Sequence, residues 1–309
     1  MLLEGLAALV TLVVIRSGAN ALIKHGLRPA RVAHKTTPAD FGLQGVAVRI
    51  PSGGDASMFA WFIPASSNAK APAVVVMHGW GANASLMLPA ASPLHHAGFS
   101  VLLLDARCHG DSDNAAFTSL PRFSEDLEAG LDWLNAREDV DGEQICAIGH
   151  SVGAGAALLS ATRRPELRAV VSISAFAHPV EVMRRWLDTY HIPYPVLGWY
   201  VMRYVQQVIG YRFDDIAPLT SIARLRCPVL LVHGTGDTTV PFNDALRLQA
   251  AGIQTRVQIL PLDADHDPTD ALGEQLPAII YFLQKSLAPA LSSTTYVKET
   301  PCNQRQKNQ

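Results

Sequence analysis

Five short runs in this chain are apolar at consecutive rather than alternate positions: VVVMH (74–78), VLLLD (101–105), ICAIG (145–149), AVVSIS (169–174) and VLLVH (229–233). A strand with one face in water alternates apolar and polar residues. A strand that does not alternate is covered on both faces, which in practice means a parallel sheet between layers of helices. Eight segments read as strands: 45–50, 58–63, 73–78, 100–105, 144–149, 168–173, 228–233 and 256–260. The turn-rich PSGGDAS between VAVRI and MFAWFI predicts that the first two form a hairpin. Segments with helical spacing fall between the later strands: 85–98, 124–137, 152–164 and 244–252, with Ser124 placed to start the second of these. The expected fold class is therefore α/β, an eight-stranded mostly parallel sheet flanked by helices. At 49% hydrophobic and 17% charged residues over 309 positions, the chain has material for a sizeable core.

Three regions depart from this rhythm. Residues 176–224 are too long and too aromatic for an ordinary strand connection, and predict a mostly helical lid inserted before the penultimate strand. The last stretch, 291–309, is polar and predicts a disordered tail. Residues 1–27 begin MLLEGLAALVTLVVI and lead, through Arg16, Lys24, His25, Arg28, Arg31 and Lys35, into a basic linker over 28–42 before the domain at 43–290. Three readings compete for the apolar segment. It is a secretory signal with Ser17-Gly18-Ala19 as cleavage site, although no cation precedes its core. It is a membrane anchor or interfacial helix whose cationic flank holds the domain on the cytoplasmic side. Or it packs on its own domain through Leu2, Leu6, Leu9, Val10, Val13 and Val14. A soluble cytoplasmic or a secreted protein are the alternatives to membrane association. A net charge of −2 with no basic stripe gives nucleic-acid binding no electrostatic support. Cysteines 108, 146, 227 and 302 show no paired spacing and read as free thiols.

The chemistry concentrates at three strand ends. Gly149-His150-Ser151-Val152-Gly153 follows a strand and opens a helix, the setting of a serine raised on a sharp turn between two glycines. A serine nucleophile needs a base, and the base an orienting acid. His266 stands in LPLDADHDP after the last strand, and Asp237 in HGTGDTTVP after the one before. The order Ser151, Asp237, His266 suits a triad built on a parallel sheet. Donors for a developing oxyanion would be the backbone N–H groups of Val152 and of Trp80, the latter in HGWG between Gly79 and Gly81. His78, His109 and His150 read as pocket-shaping, and His95 and His96 as peripheral. No His, Cys or Asp cluster has metal spacing and no phosphate-binding glycine loop is present, so no metal or cofactor is expected.

HGWG, LDARCHGDS, GHSVG, GTGDTTVP and DADHDP, in that order over roughly 43–287, resemble the motifs of the α/β-hydrolase superfamily. Relatives often carry glycine where Cys108 stands. The resemblance implies a serine hydrolase without cofactor, similar to bacterial esterases, dienelactone-hydrolase-like enzymes and the hydrolase domain of acyl-peptidases. Membrane-anchored mammalian serine hydrolases share the plan. The expected substrate is a small acyl ester or thioester, lipid-like if the lid's aromatics bind an acyl chain. A serine peptidase of the acyl-peptidase type and a non-catalytic scaffold on the same fold are the alternatives.

Overall fold

The computed structural model describes residues 2–67, 69–267 and 269–287. Eight strands form one sheet: β1 (Val46–Ser52), β2 (Ala56–Ile63), β3 (Ala71–Met77), β4 (Ser100–Leu104), β5 (Val140–His150), β6 (Val170–Ile173), β7 (Val229–Gly234) and β8 (Val257–Leu262). Their order is β1-β2-β4-β3-β5-β6-β7-β8. The β1–β2 hairpin and the β2–β4 pair are antiparallel, and every later pairing is parallel. Each apolar run anticipated as a strand is one. The tail expected over 291–309 lies outside the described residues.

The missing alternation has a direct cause. Val75 packs with Leu127, Leu131 and Leu158, on the face covered by α3 (Leu120–Asn135) and α4 (Val152–Arg163). Its neighbours Val74 and Val76 pack with Leu88, Leu94, Leu276 and Phe282. Those belong to α2 (Leu88–His96) and α10 (Thr269–Leu287) on the opposite face. Each such aliphatic side chain contributes roughly 1.5–3 kcal/mol by leaving water. Two faces buried at once leave no position along the run for a polar residue.

Helix α3 starts one turn earlier than the placing of Ser124 suggests. Its cap is Ser119, whose side chain accepts from the Arg122 N–H, with a proline in the first turn. Ser124 is buried, its hydroxyl 2.8 Å from that of Ser160 on α4. Asp126 is buried as well, taking hydrogen bonds from Ser52 and from the Arg107 side chain. Short polar residues that resemble a helix start are here bridges to neighbouring elements.

Between β6 and β7 lie α5 (Pro179–Thr189), a π turn (Tyr194–Gly198), α6 (Trp199–Ile209), α7 (Phe213–Ile216) and α8 (Pro218–Ile222); α9 (Asn243–Ala251) follows β7. Leu187, Met202 and Val205 key this helical insertion into the core. Phe213, Ile216 and Ile222 are buried with them, whereas Trp186, Tyr190, Val196, Leu197 and Trp199 face solvent.

The N-terminal helix α1 (Leu2–Gly26) does not lie on the body along one stripe. Leu6, Leu9, Val10, Val13 and Val14, the set that would form such a stripe, are all 54–64% exposed. Its last turns dock: Asn20 accepts a 2.6 Å hydrogen bond from the Tyr200 hydroxyl of α6, and Ile23, with Leu27 just past the helix, packs against the core. From Leu3 to Gly26 the helix is long and apolar enough to cross a bilayer. The following residues are a bound arm rather than a slack linker. Arg31 donates to the carbonyl oxygens of His109, Gly110 and Ser112 and to Asn114, Arg28 donates to the Ala115 carbonyl, and Asn83 donates to that of Val32.

Candidate active site

Ser151 sits between β5 and α4 at φ 54°, ψ −116°, a conformation costly for any side chain. The strain is held by its surroundings. The Ser151 N–H donates to the Ile173 carbonyl at 2.8 Å, tying the turn to β6, and the Ser151 carbonyl accepts from Ala154 and Gly155. Strand and helix approach so closely that a Cβ on Gly149 would fall 2.1 Å from the Gly153 carbonyl oxygen. One on Gly153 would fall 2.4 Å from that of His78. Only glycine fits either place.

Asp237 and His266 emerge from β7 and β8 at the same sheet edge. His266 Nε2 lies 3.0 Å from Ser151 Oγ, and His266 Nδ1 lies 2.8 Å from Asp237 Oδ2. Asp237 is buried, and its other oxygen accepts the Thr239 and Val240 N–H groups at 2.9 and 2.7 Å. Burial alone would raise this carboxyl. The hydrogen bonds from His266 and Val240 outweigh it and hold Asp237 below the ordinary carboxylate range. Asp265 adds a brace that sequence reasoning missed: its carboxylate accepts the N–H of Thr238 and of His266 itself, at 3.1 and 2.7 Å.

The HGWG loop after β3 runs beside the serine: a Cβ on Gly79 would fall 3.1 Å from Ser151 Cβ. Gly81 takes φ +72°, the left-handed region. Among the described residues the backbone N–H groups of Trp80 and Val152 have no hydrogen-bond acceptor. Two unspent donors thus flank a hydroxyl that is hydrogen-bonded to an imidazole.

Comparison with known proteins agrees with this layout. The serine aminopeptidase S33 family model matches residues 68–208. An uncharacterized protein of Mycobacterium tuberculosis H37Rv is 30% identical over 228 residues, 73% of this chain and 74% of that relative. The chain belongs to the α/β-hydrolase superfamily. The uncharacterized protein YfhR of Escherichia coli K12 is 26% identical over 212 residues, 67% of this chain and 68% of its own. Among solved structures, an esterase of Pyrococcus furiosus superposes with a TM-score of 0.69 at 21% identity, covering 84% of this chain and 97% of that one. An acylaminoacyl peptidase of Pyrococcus horikoshii superposes with a TM-score of 0.62 at 17% identity, covering 79% of this chain and 42% of the peptidase.

In this α/β-hydrolase-superfamily member the histidines near the motifs have definite tasks. His78 Nε2 accepts the Ala106 N–H at 3.1 Å, so the proton lies on Nδ1, which donates to the Gly79 carbonyl at 2.6 Å. That carbonyl shares its peptide plane with the Trp80 N–H, so His78 sets the direction of that donor. His109 Nε2 accepts the Gly81 N–H at 3.1 Å and holds the next peptide. Burial keeps both rings neutral, pushing His78 down and His109 down to about 3. His150, also lowered by burial, donates to the main-chain carbonyl of His266 at 3.0 Å. Sequence motifs placed these rings near the site, but only hydrogen-bond geometry reveals which peptides they hold.

The loop after β4 closes the arrangement. Asp105 is fully buried and accepts the N–H groups of Ala84 and Asp111 and, at 2.8 Å, the Nε2–H of His34 from the N-terminal arm. Burial opposes a charge on His34, but the Asp105 hydrogen bond and charge win and raise its pKa. Cys108 adopts φ 69°, the left-handed region that favours glycine. Cys108, Cys146 and Cys227 are free thiols. No group of three or more metal-binding side chains is found among the described residues.

Proposed function

We propose that the protein is a serine hydrolase that cleaves a carboxylic ester or thioester through an acyl-enzyme. One observation carries this reading: a strained, hydrogen-bonded relay runs from the Ser151 hydroxyl through His266 to the buried Asp237. Ser151 Oγ attacks the acyl carbon while His266 Nε2 takes its proton. Asp237 stays ionised and stabilises the imidazolium through Nδ1. The carbonyl oxygen, now an anion, is met by the free N–H groups of Trp80 and Val152, the second of which also opens α4 at the positive end of its dipole. Collapse of the intermediate expels the alcohol or thiol, protonated by His266. A water then enters by the same base and releases the acid.

The substrate panel that tests this is a set of p-nitrophenyl esters of increasing chain length beside aminoacyl and acylaminoacyl p-nitroanilides. Ester turnover far above anilide turnover is the expected result. The reverse would make the protein a peptidase, and turnover of neither would sink the hydrolase reading. The peptide lock gives a second expectation. His78→Ala frees the Gly79–Trp80 peptide to rotate, so kcat should fall by about tenfold to a hundredfold with KM little changed, part of the cost of losing a whole oxyanion donor. An unchanged kcat would remove Trp80 from the oxyanion site.

We further infer that α1 is a membrane anchor with the domain on the cytoplasmic side. Its exposed apolar length supports this, together with the cations Arg16, Lys24, Arg28 and Arg31 on the side toward the domain.

A further inference from the structure

Trp186, Tyr190, Val196, Leu197 and Trp199 are between 45% and 72% exposed on one short stretch of the insertion. So large an apolar surface calls for a partner, and α1 indicates which one. The helix meets the body where these residues gather. Asn20 is bonded to Tyr200, the residue after Trp199, and a Cβ on Gly26 would lie 4.0 Å from the Trp186 ring. Helix α6 carries Arg203 as its one charged side chain, and Arg184 of α5 lies over the Tyr194 ring at 4.3 Å. Asp188 is the exposed acid on the same stretch of α5. Aromatic rings, aliphatic tips and arginines around the exit point of an apolar helix are the composition of a membrane–water interface.

We propose that the face formed by Trp186, Tyr190, Val196, Leu197 and Trp199 is seated on a lipid bilayer. There the insertion serves as a lid through which a long-chain acyl substrate passes from the membrane to Ser151. The insertion departs from the carboxyl end of β6, whose neighbour β5 carries the serine, so the path between them is short. The substrate part rests on the serine-hydrolase reading; the docking part does not.

Two measurements on the full chain separate them. In vesicles of phosphatidylcholine and phosphatidylglycerol with brominated acyl chains, tryptophan fluorescence should be strongly quenched, and Trp186→Phe with Trp199→Phe should remove most of that quenching. Quenching that is absent, or unaltered in the double variant, overturns the docking. So does an intact-mass measurement on the membrane fraction showing the first 19 residues gone. In the second measurement, Val196→Lys with Leu197→Lys should cut hydrolysis of a long-chain acyl ester embedded in vesicles roughly tenfold while a short soluble ester is turned over within about twofold of wild type. Equal loss on both substrates, or on neither, refutes the lid's role as membrane entry. A detergent-soluble dimer dissociated by the same two lysines, without lipid quenching, would make the face a contact between copies instead. If wild type turns over no ester while the tryptophans are quenched, the serine-hydrolase reading falls and the docking stands.

Discussion

Ser151→Ala should lower turnover of any ester the protein cleaves by about a millionfold and abolish covalent labelling by a fluorophosphonate probe. The size follows from the relay's acting as a unit. Without Oγ the His266 base has nothing to deprotonate, and what remains is whatever Trp80 and Val152 do for water attacking directly. His266→Ala should cost nearly as much, because a hydroxyl 3.0 Å from the imidazole becomes an ordinary serine once the ring is gone. Asp237→Asn should retain the geometry and lose about ten thousandfold, since the amide no longer favours the Nδ1–H tautomer or the imidazolium. Labelling and steady-state rates on the three variants decide the matter together. A wild type that does not label, or a Ser151→Ala variant that labels equally, removes the nucleophile assignment, and a binding or scaffold role takes its place.

The second large effect is on stability. Gly149→Ala adds one methyl group where the Gly153 carbonyl oxygen would be 2.1 Å away, so strand β5 and helix α4 must part. Overpacking and lost elbow geometry together put the cost at about 3 kcal/mol. For a chain of this size that lowers Tm by about 8 °C. Labelling should be lost as well, because Ser151 owes its position to that approach. Gly273→Ala makes the control: nothing lies within 4 Å of the added methyl, the site is in the second turn of α10, and thermal stability should stay level or rise. Calorimetry of the two variants beside wild type tests the contrast. A Gly149→Ala protein as stable as its parent would mean that helix and strand are not held as close as described.

What could be read from the sequence, and what could not, follows from how far each signal reaches along the chain. Val74–Val75–Val76 announces a doubly covered strand because both neighbouring layers act on three successive residues. Ser151, Asp237 and His266 are legible as a set because each follows its strand within a few positions, and parallel strands deliver their ends to one edge. The start of α3 was misplaced because Ser124 has the chemistry of a cap, while its real partners, Ser160 and Glu128, include one 36 positions away. The work of His78 and His109 was hidden for the same reason. Each ring joins a backbone group within two residues of itself to another 28 positions away, and the pair together fixes its tautomer. The arm at residues 28–35 looked like a spacer because its arginines bind carbonyl oxygens, and carbonyl oxygens leave no mark in a sequence.

That arm changes the mechanics of the molecule. A flexible tether lets a domain tumble, and each productive encounter then has to find one attitude among many. Here Tyr200–Asn20, Arg28, Arg31, Asn83–Val32 and His34–Asp105 fasten the chain at successive points from α1 to the loop behind the nucleophile. Whatever grips α1 therefore grips the sheet, as a handle rather than a leash. The rotational entropy of aiming the serine is spent once, during folding, and not again at every collision.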